Sequence, residues 1–245
     1  MTKKTTDLPQ SKEDQKPSIG LVLELEFMLF PGRQLTYEAF KNVLKTSQVA
    51  LEQDAFSRYC LQRSTEKSLA GLLSALGKKG LAVETIAAKI KKQFESSLND
   101  SSCRPIPGLM ALLKKASENN IKIGLLSFLP DDNARQLMER APLNQTAVCL
   151  HVMKKKADDL PTPDSWLSLL KSMAITPRCA IALVDGATAC KSALAVGMGC
   201  GVVPDCFTAW QSFTGADFVA ENASELELNK ISALFSTAHF RKRAK

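Results

Sequence analysis

Histidine is almost missing from this chain: His151 and His239 are the two present among 245 residues. A His-rich metal centre and a Ser-His-Asp triad are therefore poorly supplied, and His151, inside an apparent strand, reads as structural. No apolar run approaches the roughly 20 residues that span a bilayer. The polar, Lys-rich stretch Met1–Ser18 lacks the apolar segment of a signal peptide, so no membrane role is expected and the cytoplasm is the expected location. The seven cysteines are odd in number and form no Cys-x-x-Cys pair, and Cys149, Cys179 and Cys200 sit in apolar segments. They read as reduced core thiols rather than a disulfide framework. Zinc-finger spacing and an aromatic-interleaved basic stripe are also lacking, so no specific nucleic-acid partner is expected. The formal charge of +7 is concentrated partly in the ends, at Lys3, Lys4, Lys12 and Lys16 and at Arg241, Lys242, Arg243 and Lys245, which read as solvated tails.

What remains is an ordinary globular composition, 45% hydrophobic and 23% charged, in a chain long enough for one sizeable core with a smaller insert. Strand-like apolar runs fall at Ile19–Leu25, Ile121–Ser127, Ala147–Met153, Ala180–Val184 and Gly201–Val203, with a short one near Asp217–Ala220. Helix-period segments at Pro107–Asn119, Asp131–Arg140, Pro163–Ala174 and Ala187–Val196 alternate with them. Such alternation predicts an α/β fold, a parallel sheet covered by helices, with ligands beyond the carboxyl ends of the strands. Residues 34–103 break the pattern with four helical segments, Thr36–Ala50, Asp54–Gln62, Thr65–Leu76 and Val83–Leu98. In the last, Ile86, Ile90, Phe94 and Leu98 form one apolar stripe.

The most informative stretch is Leu21-Val-Leu-Glu24-Leu-Glu26-Phe-Met-Leu29. On a strand, alternate residues share a face, so Glu24 and Glu26 are expected to project together from its end. Paired carboxylates at the edge of a parallel sheet suit Mg²⁺ and phosphate chemistry. Each residue also has a plainer reading: Glu24 and Glu26 as solvated strand-end acids, Ser127 as an ordinary strand-end residue, Asp185 as a turn acid before Gly186. Phe27, Met28 and Phe30 read as packing groups between strand and insert.

This stretch resembles the first motif of the haloacid dehalogenase (HAD) superfamily, Asp-x-Asp-Gly-Thr-Leu, with Glu at both Asp positions and Phe27-Met28 in place of Gly-Thr. Further landmarks follow in order. Arg104-Pro-Ile-Pro107-Gly108, a helix and Ile-Lys-Ile-Gly-Leu-Leu-Ser127 resemble the approach to the second motif. Leu160-Pro-Thr-Pro-Asp164 resembles the third, and Ala182-Leu-Val-Asp185-Gly, then Ala193-x-Ala195-x-Gly197-Met198, the fourth. Gly215-Ala-Asp217-Phe-Val resembles the family's ending. The likeness implies a Rossmann-like core over residues 18–33 and 104–240, a helical cap over 34–103, a disordered tail at 1–17 and a basic tail at 241–245. It also implies roles. Glu24 stands at the place of the nucleophile, Glu26 at that of the general acid/base, and Ser127 at that of a phosphoryl hydrogen-bond donor. Glu24, Glu26 and Asp185 stand where Mg²⁺ is held.

Among the family's chemical groups, Ser127 and Asp185 are present unchanged and the others depart from the pattern. Each Glu adds a methylene, about 1.5 Å of reach, and a misplacement of roughly 1 Å costs on the order of 10²-fold in rate. Leu160 stands where a charge-neutralising Lys is expected, with Lys154, Lys155 and Lys156 as candidate substitutes. No second acid accompanies Asp185. The expectation is a HAD-fold protein with lost or strongly weakened phosphoryl transfer, a weakened Mg²⁺ site and a binding or regulatory role toward a small phosphorylated molecule or anion; no protein partner is legible. The alternative is a working Mg²⁺-dependent phosphohydrolase of a small phosphorylated metabolite that uses Glu as nucleophile. Dehalogenation, and an interaction module using the cap surface or tails, stand behind these.

Overall fold

The first strand, β1 (Gly20–Glu24), is buried along its whole length, and its side chains feed two cores. Leu21 and Leu23 enter one apolar cluster and Val22 the other, as expected of a strand covered on both faces. The structure, a computed structural model, describes residues 18–61, 64–144, 148–153 and 161–236. Strands β2 (Lys122–Ser127), β3 (Val148–Val152), β4 (Ala180–Val184), β5 (Gly199–Val202) and β6 (Phe218–Val219) complete a parallel sheet of order β3-β2-β1-β4-β5-β6. The strand order reverses beside β1, which makes its carboxyl end the crevice where ligands of such sheets settle.

Four helices follow β1: α1 (Gly32–Thr46), α2 (Gln53–Tyr59), α3 (Thr65–Ala75) and α4 (Val83–Asn99). Phe40, Leu44, Phe56, Leu69, Leu72 and Ile90 give them a core of their own, joined by Phe207 from the loop after β5. The predicted stripe on α4 holds for Ile86, Ile90 and Leu98, which are buried; Phe94 is half-buried and turns to the site below. Helix α1 starts at Gly32, four residues before the sequence pattern predicts.

The remaining helices are α5 (Pro107–Glu118), α6 (Asp131–Glu139), α7 (Pro163–Met173), α8 (Ala187–Ala195) and α9 (Leu228–Ser236). Leu109, Leu113, Ala134, Leu137 and Ile231 pack α5, α6 and α9 on one face of the sheet, and Trp166, Leu169, Cys190 and Ala193 pack α7 and α8 on the other. Part of the third motif is a helix start: Thr162 and Ser165 form a reciprocal capping box with Pro163 at the first helical position. Leu160 and Lys154–Lys156 lie outside the described residues. All seven cysteines are free thiols, and burial pushes the Cys60 thiol up to about 12. His151 lies on β3 with Nδ1 3.1 Å from Ser172 Oγ. No helix among the described residues is long and apolar enough to cross a membrane.

Candidate functional site

Register places three of the candidate residues together. Glu24 ends β1 opposite Leu126, so Ser127 follows immediately on β2, while Leu23 pairs with Leu183 of β4, and Asp185 comes just past the end of that strand. Glu24, Glu26, Ser127 and Asp185 are 3%, 1%, 0% and 4% exposed, which excludes the reading of solvated strand-end acids. Paired projection of the two glutamates from one strand does not occur. The strand stops at Glu24 and the chain winds through one π-helical turn, Leu25–Leu29, so each acid is held by different neighbours. Met28 and Phe30 join the core, as expected of packing groups.

Glu26 turns toward β2. Its Oε1 accepts from Ser127 Oγ at 2.5 Å, from the Phe128 amide at 2.8 Å and from the Leu129 amide at 3.0 Å. Burial raises its pKa, and the Ser127 hydroxyl and the amides pull it partly back. Glu24 lies on the other side. Its pKa stands well above 4.5 because burial disfavours the charge and Asp185 repels it, with Arg33 opposing both.

Arg33 is absent from the sequence-based set of site residues. The start of α1 approaches the π turn so closely that a Cβ on Gly32 would lie 2.3 Å from the Glu26 carbonyl oxygen. Only glycine fits, and the next residue is delivered into the crevice. Arg33 Nε and Nη2 donate to Asp185 Oδ2 at 3.0 and 2.5 Å, and Nε lies 3.1 Å from Asp205 Oδ2. The guanidinium also sits over the Phe27 ring at 6.0 Å, and Phe27 stacks on Phe94 of α4 at 5.9 Å and 6°. Burial works against the Arg33 charge, yet Asp185 and Asp205 outweigh it and its pKa is raised.

Asp205, in the loop after β5, is the other residue the sequence reading missed. Its Oδ1 accepts from the amides of Phe207 and Thr208 and from Thr208 Oγ1, leaving Oδ2 for Arg33. A single Arg at a helix start and a single Asp in a loop carry no motif. The available signal was topological, since loops after parallel strands face the site.

A cavity of about 960 Å³ opens above this cluster, between the sheet edge and the four inserted helices. Glu24, Arg33 and Asp185 form part of its floor, and Ser64, Lys67 and Lys91 part of its far wall. Two buried carboxylate oxygens, Glu26 Oε2 and Asp185 Oδ1, have no hydrogen-bond partner. The HAD resemblance implies Mg²⁺ here. Among the described residues, no three His, Cys, Asp or Glu side chains come together as metal ligands, and Asp185 Oδ2 is taken by Arg33. As arranged, these residues do not fit a magnesium ion, which requires near-octahedral oxygen ligation.

Comparison with known proteins gives the lineage. The sequence profile of the haloacid dehalogenase-like hydrolase family matches residues 28–203, most of the chain. The chain belongs to the haloacid dehalogenase-like hydrolase family. The match begins two residues after Glu26, so it does not include the two exchanged acids. By sequence this HAD protein is 26% identical over 219 residues to β-phosphoglucomutase of Bacillus subtilis strain 168, covering 85% of this chain and 92% of that one. It is 24% identical over 123 residues to protein CbbY of Cereibacter sphaeroides, covering 49% of this chain and 54%, about half, of that relative. Among solved structures, CbbY from Rhodobacter sphaeroides in complex with phosphate superposes with TM-score 0.68 at 18% identity, covering 85% of this chain and 96% of that one. β-Phosphoglucomutase from Clostridium difficile superposes with TM-score 0.68 at 17% identity over 89% and 97%. These likenesses establish the Rossmann-like HAD fold.

Proposed function

We propose that this HAD-fold protein has lost or greatly weakened phosphoryl transfer and acts as a binding or regulatory protein through the cleft between sheet edge and helical insert. The observation that carries this reading is the seat of Glu26. A serine hydroxyl and two successive amides are an anion cradle, and Glu26 Oε1 fills it. A phosphoryl group needs those same donors. Admitting it means giving up hydrogen bonds to a buried carboxylate, each worth about 1.5–3 kcal/mol. Glu24 adds to the argument: burial and Asp185 push its pKa up, which disfavours the carboxylate form that attacks phosphorus.

The ligand class that suits the cleft is a small phosphorylated molecule or anion. Support comes from two CbbY structures from Rhodobacter sphaeroides, one with phosphate and one of a point mutant with xylulose-(1,5)-bisphosphate, and from the basic side chains of Lys67 and Lys91 in the cavity wall, where Lys91 pairs with Glu66 at 2.9 Å. In this reading such a ligand is held from the helical insert rather than from the Ser127 cradle.

One observation favours the alternative, a working phosphohydrolase with Glu24 as nucleophile, Glu26 as acid/base and Ser127 as phosphoryl donor. Arg33 provides a cation close enough to lower the Glu24 pKa. It is, however, already engaged by two aspartates. Purified protein assayed on phosphate monoesters with Mg²⁺ separates the two: turnover no faster than a Glu24→Gln control is expected. Turnover at ordinary enzyme rates, abolished in Glu24→Gln, overturns the reading. Recovery in a Glu24→Asp, Glu26→Asp, Leu160→Lys triple variant would show that these positions disabled the site.

A further inference from the structure

The Asp185 carboxylate stands at the metal position implied by the family resemblance, yet the partner it has is a guanidinium. Arg33 donates twice to Asp185 Oδ2 and once lies against Asp205 Oδ2, with its side chain 12% exposed. Its orientation is fixed by three independent features. Gly32 lets α1 start against the Glu26 carbonyl oxygen, the Phe27 ring lies beneath the guanidinium, and Asp205 is held in turn by the Phe207 and Thr208 amides. Around it lie the buried Glu24 and Asp185 and the half-buried Asp205, and the two aspartates it pairs with are acids that a neighbouring cation stabilises in a partly dry pocket. A divalent ion beside Asp185 would face this guanidinium at close range, and like charges in a partly dry pocket repel strongly.

We propose that Arg33 is the site's resident cation, occupying the place of a divalent metal at Asp185, so that the folded cleft is metal-independent. Phe27, which stands where the family motif has glycine, lies beneath the Arg33 guanidinium. The inference goes beyond the loss of phosphoryl transfer, because it concerns metal occupancy and stands whether or not catalysis survives.

The test needs no turnover. Mn²⁺ is titrated into the full-length protein and followed by its electron paramagnetic resonance signal, with thermal unfolding in Mg²⁺ and in EDTA alongside. The wild type is expected to show no saturable Mn²⁺ uptake up to about 1 mM, where a site of several carboxylates would bind, and the same unfolding midpoint in both solutions. Arg33→Gln, which keeps the length and removes the charge, is expected to gain saturable Mn²⁺ binding at least about tenfold tighter than any in the wild type. Its midpoint should rise by about 5–10 °C at a hundredfold excess over its Kd. Arg33→Lys, which keeps a cation, is expected to behave as the wild type, and adding Asp185→Asn to Arg33→Gln should remove the gain. Saturable Mn²⁺ binding by the wild type that Asp185→Asn abolishes overturns the proposal, as does a folded Arg33→Gln that binds Mn²⁺ no better than the wild type. If Arg33→Gln does not fold, the wild-type and Asp185→Asn titrations decide alone.

Discussion

Replacing Glu24 by Gln should stabilise the protein at neutral pH, an unusual outcome for altering a buried residue at a site. The Glu24 carboxyl is 3% exposed, faces Asp185, and holds its proton to a pH well above 4.5. In the unfolded chain the same group ionises near 4.5. Between those two values the native state binds more protons than the unfolded state, so the slope of unfolding free energy against pH is negative. Stability is fully present below the unfolded pKa and is lost as pH rises through the folded one, at up to about 1.4 kcal/mol per pH unit for one group. Glu26, also raised, contributes a slope of the same sign. Glu24→Gln keeps the shape and removes one of the two contributions. Urea unfolding from pH 5 to pH 8 should show a flatter decline in the variant and a crossover, with the variant the more stable at pH 8. Equal slopes in both proteins, or a variant less stable than wild type by about 1 kcal/mol or more at pH 8, would refute the assignment of a raised Glu24 pKa.

Three other changes probe neighbouring features. Glu26→Asp withdraws the carboxylate by about 1.5 Å and frees the Ser127 cradle, so calorimetry should detect inorganic phosphate or vanadate binding at least about tenfold tighter than in wild type. Gly32→Ala drives a methyl onto the Glu26 carbonyl oxygen and should cost about 1–3 kcal/mol in urea unfolding. Phe27→Ala removes the ring between Arg33 and Phe94. A double-mutant cycle with Phe94→Ala should return a coupling of about 0.5–1.5 kcal/mol; a value near zero means that the stack contributes nothing.

The sheet and its helices were legible because each strand is a short apolar run bounded by turn residues and each covering helix carries a stripe. Predicted and observed limits of β4 coincide, and those of α5, α6, α7 and α8 differ by a residue at the end. Strand β5 starts at Gly199, two residues early, because glycines hide a strand's pattern. Glu24, Ser127 and Asp185 were legible because topology alone brings the ends of β1, β2 and β4 together. The π turn was not: Leu25–Leu29 continues the apolar run of β1, and no periodicity in five residues distinguishes a wound turn from an extended one. That turn decides the chemistry, since it sends Glu26 to Ser127 and, through Gly32, brings Arg33 to Asp185. Residues 34–103 read as a separate helical cap, and the four helices observed there have a distinct apolar cluster, though Phe207 of the sheet side belongs to it.

The file of Arg33, Phe27 and Phe94 has a mechanical consequence. Phe27 touches both the buried charge network and the inserted helix α4, so a swing of α4 away from the sheet strips one face of that ring and loosens the platform beneath the guanidinium. A change at Phe94 is thereby passed, through one ring, to the guanidinium that pairs with Asp185 and Asp205.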